Sequence, residues 1–524
     1  MRGRAGQLSN LAKTLSVMRD PKSSRARPPV ETVPPTIAHG ERYSDVGNAR
    51  RLVRLFGDSI RWVPQVGWFW FDGTRWRRDV DGEMMWRAKA VTQAMIDGSK
   101  YFPSDARNEA VKFALRSEQA PRLAAMIELA KSETGIALSY SRFDADPWLV
   151  GVERGAVDLR NGQFLVPPAN SYISRRLGTE YSPHARCPTW CAFLDRITAG
   201  DISLIEFLQR ALGYTLTDKT GEQVIFVLHG PGANGKSVLL RVIRELAGEY
   251  GADAAIDTFI DRARRESSND LARLAHLRFV CASELDEERP LAESLVKAVT
   301  GGEAISARFL YDEYFEFVPT FKVWIACNHK PRISGDDNGF WRRIRLTPLR
   351  VTIPPEEQDR DLLAKLRQEL PGILNWAIDG ALVWQRDGLE PPAVVMVATQ
   401  AYRDESDSVG EWMHERCIVD RDAAIQAKPL YQDYAKYIEE RGARPLSMKR
   451  WAQRMIDRGF EKDEGRVVKY RGIALCDLAT IGDHYSGTSP YSPTRGNFPE
   501  KGREGRNGRS NDNLDLPYKA SRGD

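Results

Sequence analysis

The chain is 524 residues long, 42% hydrophobic and 28% charged, the balance of a folded protein in water and too long for a single hydrophobic core, so about two to four domains are expected. Its net charge of +4 and pI of about 8.6 are only mildly basic, which permits a nucleic-acid partner without requiring one. No transmembrane helix and no disulfide framework are expected: no run approaches 18 apolar residues, no apolar signal-peptide core follows Met1, and Cys187, Cys191, Cys281, Cys327, Cys417 and Cys476 show no paired C-x-x-C spacing, as suits a reducing cytoplasm.

Residues 1–45 read as a disordered basic tail. Met1–Arg27 holds seven basic residues against one acidic, and a solvated tail is preferred over a weak nucleic-acid contact. Residues 46–142 read as an α+β region. A helix comes first, then a β-hairpin made by Trp68–Phe71, the turn at Asp72-Gly73 and Thr74–Trp76, then helices over 105–135. The hairpin aromatics have faces on which bases can stack, but packing of a small core is preferred. Residues 143–215 are expected as a further domain, with a strand pair turning at Asn161-Gly162 and an amphipathic helix over Asp201–Gly213. Asp144 and Asp146 form a D-x-D pair of the kind that holds a metal, yet no second carboxylate or histidine cluster completes it. His184, Cys187 and Cys191 lack a fourth ligand, so packing is preferred over zinc.

The central stretch, residues 216–355, carries the chemistry. Val224–Leu228 is a strand-like apolar run, Gly230, Pro231, Gly232, Ala233, Asn234, Gly235, Lys236 and Ser237 read G-x-x-x-x-G-K-S, and Val238–Ala247 has helical spacing. Strand, glycine loop and helix are what a phosphate-binding P-loop needs: backbone N–H groups turn inward, the helix N-terminus adds partial positive charge, Lys236 reaches the β- and γ-phosphates and Ser237 ligates Mg²⁺. Residues 261–276 read as charged and helical. A second strand, Leu277–Ser283, runs into Glu284, 48 residues after Lys236. A carboxylate at the end of a parallel strand beside the loop can orient the attacking water, so Glu284 is the expected catalytic acid, with Asp286–Glu288 solvating the loop. A third strand, Phe321–Cys327, ends at Asn328, whose side chain can bond the γ-phosphate or the water. Arg342, Arg343 and Arg345 follow, and an arginine there can neutralise the phosphates held by a neighbouring subunit.

Beyond this core, helices are expected over 356–385 and 400–416. Leu430–Ile438, a helix Met448–Arg458 capped by Ser447, and the strand-like Val467–Tyr470 then follow in a winged-helix order. Lys449, Arg450 and Arg454 would lie on the second of these helices, where a reading helix contacts DNA; a protein-docking module is the alternative. Residues 356–484 are therefore expected as a helical linker and winged-helix-like domain, and 485–524, rich in Gly, Ser, Asn and Arg, as a disordered tail.

Residues 143–350 resemble the superfamily 3 helicases, and within them the phage and plasmid primase-helicases related to the poxvirus primase-helicase. The resemblance rests on Asp158-Leu159, Gly230–Ser237, Ala282-Ser-Glu284-Leu, Lys297 with Thr300-Gly-Gly302, Ile305–Arg308, Asn328 with Pro331, and Trp341–Arg343. It implies an α/β P-loop (AAA+-like) ATPase core over 216–355. It further implies a ring, usually a hexamer, that hydrolyses ATP with Mg²⁺ and translocates on single-stranded and forked DNA while a phage, plasmid or integrated element replicates in a bacterial cytoplasm. By motif, Gly230–Val238 bind nucleotide, Ser237 and Glu284 serve the metal, Lys236 and Glu284 act on the phosphates and water, Asn328 is the sensor and Arg343 the finger. Two departures stand out. Leu285 occupies the place where many relatives have a second acid, and the hairpin turn Tyr311–Tyr314 is acidic, which repels DNA phosphates and leaves Lys297 and Arg308 as channel candidates. About 140 residues precede the resemblance, short for a polymerising primase domain, so a helicase half is expected, with a separate primase or replication initiator as partner. The alternative is an AAA+ ATPase that marks or melts an origin, or loads another helicase, without processive unwinding.

Overall fold

Ser44 opens the first helix, its side chain accepting the Gly47 N–H at 3.1 Å and satisfying one of the donors a helix start leaves orphaned. The computed structural model describes residues 42–260, 268–283, 290–308, 314–331, 333, 337–442 and 445–476, and the chain divides between Ser408 and Val409 into two compact units.

In the first unit α1 (Asp45–Phe56) leads into an antiparallel ribbon of β1 (Ile60–Val63), β2 (Gly67–Phe71) and β3 (Trp76–Arg78), then α2 (Glu83–Ser99), α3 (Ser104–Ser117) and α4 (Ala120–Ala130). The β2–β3 turn spans Asp72–Arg75: Asp72 Oδ1 accepts the N–H groups of Thr74 and Arg75, both at 2.9 Å. Strand alternation sends Ile60 and Trp68 into the helical core, and Val63, Phe69 and Trp76 into a second cluster with Phe143. The ribbon aromatics are thus packing residues on both faces. A second ribbon, β4 (Leu149–Val152), β5 (Gly155–Asp158) and β6 (Gln163–Leu165), follows. Asp144 accepts the Ser174 N–H at 2.9 Å while Asp146 pairs with Arg160 at 3.2 Å, and no metal-competent cluster of three side chains occurs among the described residues. Next come α5 (Pro188–Thr198) and α6 (Ile202–Leu216). Asp201 caps α6 through the Leu204 N–H at 3.1 Å. The Glu369 carboxylate caps α5 from far along the chain, taking the N–H groups of Thr189 and Trp190 at 3.0 and 2.9 Å.

The sheet region runs β7 (Ile225–His229), α7 (Lys236–Ala247), β8 (Gly251–Asp253), α8 (Ser268–Ala272), β9 (Phe279–Ser283), α9 (Glu293–Gly301), the hairpin β10 (Ile305–Ala307) and β11 (Phe315–Phe317), β12 (Lys322–Cys327), α10 (Asn338–Trp341) and β13 (Ile344–Pro348). Five strands form a parallel sheet in the order β13-β7-β12-β9-β8. Phe226 and Leu228 enter one core and Ile225 and Val227 the other, and β12 is buried at every position, the pattern of a parallel strand covered on both faces. The architecture is the expected mixed α/β one, with a correction: β9 does not lie beside β7. The later strand β12 inserts between them, because a crossover helix allows a parallel strand to return at a distance.

After the sheet come α11 (Leu362–Gln368), α12 (Leu370–Asp387) and α13 (Ala393–Glu405), and one core runs from Val150 to Val395, joining α5, α6 and α12 to the sheet. The helix expected over 400–416 is two helices. The Ser406 N–H falls back on the Tyr402 and Arg403 carbonyls, both at 3.1 Å, ending α13 before α14 (Ser408–Arg416) begins. Of the helix expected over 261–276 only α8 and its flanks are described; residues 261–267 lie outside the described residues.

The second unit contains β14 (Cys417–Ile418), β15 (Ala424–Gln426), α15 (Ala427–Glu440), α16 (Met448–Asp457), β16 (Glu461–Asp463), β17 (Lys469–Arg471) and β18 (Ala474–Leu475). Its three-stranded sheet has the order β15-β17-β16, and its core gathers Trp412, Tyr434, Trp451 and Tyr470. Ser447 caps α16 as expected. No helix among the described residues is long and apolar enough to cross a membrane.

Candidate functional site

Parallel register pairs His229 with both Cys327 and Pro348, and Ser283 with Ala326. The strands therefore end together, and Gly230, Asn328 and Leu349 leave the sheet at one edge. Crevices at the carboxyl ends of parallel strands are where such sheets bind ligands.

The glycine loop spans Gly230–Gly235 between β7 and α7. Gly230 passes so close to the next segment that a Cβ there would lie 1.9 Å from the Leu349 carbonyl oxygen, and Gly235 has φ +85° and a Cβ there would lie 2.6 Å from Ile197 and 3.0 Å from Phe193 of α5. Neither position admits a side chain. Pro231, Gly232 and Ala233 are exposed, with open space over Gly232. Asn234 is buried and ties the loop down: its Nδ2 donates to the Leu349 carbonyl at 2.9 Å, while the Ile353 N–H reaches the Ala233 carbonyl at 2.7 Å. The 349–353 strap and the role of Asn234 were not foreseen, since nothing in the motif marks a partner 115 residues away.

Lys236 begins α7 and is only 6% exposed. Its Nζ donates to the carbonyls of Gly230 and Pro231 at 2.8 and 3.0 Å and to Asn234 Oδ1 at 3.0 Å. Burial lowers its pKa. Around it, burial and then the charges of Lys330 and Lys236 lower His229, and burial pushes the Cys327 thiol up to about 12, opposed by the same two lysines. The edge brings together Lys236 and Lys330 and carries an open backbone loop at a helix N-terminus, the setting for a polyanion. Ser237 is exposed on the first turn of α7, Val238 half-buried, and Asn328 exposed beside the start of the loop. A polyphosphate fits this donor set: glycines that cannot carry side chains, a lysine held only by replaceable loop oxygens, and a hydroxyl at the helix start.

The other expected site residues distribute unevenly. Glu284 and Asp286–Glu288 lie outside the described residues, as do 311–313 of the hairpin turn. Arg343 is a correction to the expected outward-facing finger. It is 8% exposed, its Nε donating to Thr300 Oγ1 at 2.9 Å and an Nη to the Gly339 carbonyl, because the short helix α10 turns it back under α9. Arg342 is the exposed neighbour, donating to Gln223 Oε1 at 3.0 Å. Arg345 bonds the Arg342 and Ile344 carbonyls at 2.7 and 3.0 Å. Lys297 is engaged with the Asp337 carboxylate, which it holds below the usual carboxylate range. Arg308 is exposed, its guanidinium 4.8 Å from the Tyr314 ring. On α16, Lys449 and Arg450 are exposed, but Arg454 is buried among the core-facing residues with Trp451 and Met455. Its place three residues after Trp451 and next to Met455 puts it on the core-facing side of the helix, so it is withdrawn as a DNA contact.

Against known proteins, residues 49–199 match the family described as D5 N terminal like, and residues 228–343 a family of unknown function, DUF5906. The Acanthamoeba polyphaga mimivirus protein named "Putative helicase L207/L206" is 27% identical over 320 residues, covering 56% of this chain and 33% of the viral protein. "Putative helicase 022R" of Frog virus 3 (isolate Goorha) is 26% identical over 248 residues, covering 43% and 25%. The chain thus spans a third or less of the length of these two relatives. The solved apo structure of the NrS-1 C terminal region (305-718) aligns over 83% of this chain and 100% of that one, at a TM-score of 0.48 and 11% identity.

Proposed function

We propose that this chain, a relative of the phage-type primase-helicases, is an ATP-dependent DNA helicase that works as a ring, most simply a hexamer, on single-stranded and forked DNA during replication of a mobile element. The observation that carries this reading is the glycine loop with Lys236 at the carboxyl edge of a parallel sheet, beside Asn328. The strand order, with one strand inserted between the loop strand and the strand that leads to Glu284, suits an AAA+-like P-loop core. Gly230–Val238 would hold ATP, and Ser237 with Glu284 the Mg²⁺, which supplies charge neutralisation at the phosphates. Lys236 leaves its loop oxygens to meet the phosphates, Glu284 orients water, and Asn328 senses the terminal phosphate. Arg342, the exposed arginine of the pair, serves a neighbouring subunit.

The second unit supports the DNA part of the reading. α14, β15, α15, α16, β16 and β17 follow one another in a winged-helix-like order, with Lys449 and Arg450 exposed on the reading helix. In the first unit Arg308, rather than the engaged Lys297, is the channel residue. The test is strand displacement on forked DNA beside ATPase rates with and without single-stranded DNA. Displacement that requires ATP is expected; stimulated hydrolysis with no displacement replaces the motor by an origin-melting or loading ATPase.

A further inference from the structure

Helix α13 fastens the loop that carries Asn328 from outside the sheet. Residues 328–331 leave β12 at the glycine-loop edge. Three side chains of α13 reach toward this edge. Thr399 Oγ1 accepts the Leu346 N–H on the outer strand β13 at 3.0 Å. The Tyr402 hydroxyl, on a side chain 2% exposed, donates to the Pro331 carbonyl. Glu405 Oε2 pairs with Lys330 Nζ at 2.5 Å. The Tyr402 ring is fixed in turn by Trp341, edge-on at 5.1 Å, and by the Lys330 ammonium at 5.7 Å. Core packing alone would be met by phenylalanine at 402. The hydroxyl is aimed at a carbonyl 71 residues away, and a buried carbonyl deprived of its donor is costly. Lys330, one residue before Pro331, is held by the same helix.

We propose that Tyr402 and Glu405 are positioning residues for Asn328, setting from α13 where the sensor loop stands relative to the glycine loop. This rests on the nucleotide-site reading above.

The test uses the full chain. In Tyr402→Phe, amide hydrogen exchange of residues 328–330, measured without nucleotide, should rise on the order of tenfold, the loss expected for one buried hydrogen bond, with β7 and β12 unchanged. The kcat for ATP should fall about 5- to 20-fold while the Kd of a fluorescent ATP analogue stays within about twofold. Glu405→Ala, a change on an exposed side chain, should lower kcat in the same way, and Glu405→Gln, which keeps an acceptor for Lys330, should recover most of it. Unchanged exchange and turnover in Tyr402→Phe overturns the proposal, as does a loss of kcat matched by an equal loss of nucleotide affinity. If the wild-type chain neither binds nor hydrolyses ATP, the nucleotide-site reading falls instead, and the exchange result alone decides whether α13 sets the loop.

Discussion

Each edge of the parallel sheet buries a lysine, and the two are held in opposite ways. At the carboxyl edge Lys236 is bound by oxygens from residues 230, 231 and 234, within six positions of itself. At the amino edge Lys322, 2% exposed, donates to the Thr217 and Thr320 carbonyls, with the Tyr214 ring 4.8 Å away. Beside it Arg278, also 2% exposed, pairs with Asp218 at 2.8 Å and bonds the Leu216 and Leu149 carbonyls at 2.6 and 2.8 Å. Partners of Lys236 belong to an exposed loop and can be exchanged for a ligand. Those of Arg278, and Thr217 at Lys322, come from segments distant in sequence and are closed in by the core. The same residue type is thus a working group at one edge and a fastening at the other.

The largest expected effect tests the fastened edge. Arg278→Ala leaves Asp218 without its partner and the Leu216 and Leu149 carbonyls short of a donor, and should lower stability by about 3–5 kcal/mol in denaturant unfolding. A loss under about 1 kcal/mol would mean the two edges do not differ as described. Lys236→Ala should do the reverse, cutting ATP turnover on the order of 10²–10³-fold while unfolding stability changes by less than about 1 kcal/mol; near-normal turnover in the purified variant would remove Lys236 from the site. Glu284→Gln belongs with it as an expected outcome at the same edge, keeping nucleotide bound while hydrolysis stops, measured by binding and turnover on the same preparation.

A smaller effect sharpens the comparison within the working edge. Asn234→Ala removes the tie from the loop to Leu349 and one oxygen from Lys236, at a cost of about 1–2 kcal/mol. It should appear as weaker nucleotide binding in a titration beside a small loss of stability, because Asn234 is itself buried while Pro231–Ala233 are exposed. The smallest is a pH effect at the fastened edge. Burial drives Lys322 well below its usual pKa, with Asp218 opposing and Arg278 reinforcing the shift. The native state then binds fewer protons than the unfolded chain between that lowered value and the ordinary lysine value of 10.5, so this contribution to stability rises with pH through that window and is lost as pH falls through the folded pKa. Melting curves from pH 7 to 9.5 should show wild type gaining on Lys322→Met; parallel curves would mean Lys322 is not held neutral.

What was legible in the sequence is what neighbours in the chain decide. The glycine loop lies between a strand and a helix within a few residues, Ser447 caps the helix that follows it, and Asp72-Gly73 after the aromatics of Trp68–Phe71 marks a packed hairpin. Each is fixed by backbone geometry, capping or period over a span short enough to read along the chain. The family resemblance rests on the same local motifs.

Tertiary structure alone decided the rest. The place of β12 between β7 and β9 follows from how crossover helices cover the sheet, which the order of strands along the chain leaves open. Arg343 and Arg454 look like surface arginines in sequence, yet α10 folds one against Thr300 and helical periodicity carries the other to the apolar side of α16. Asn234 and Tyr402 acquire their roles from carbonyls at Leu349 and Pro331, 115 and 71 residues away. A hydrogen bond to a distant carbonyl depends on which segments the core brings together, and a charged side chain's exposure depends on what packs over it. Neither is a property of the residue or its neighbours, which is why the chemistry of the loop could be read from the chain and the setting of that chemistry could not.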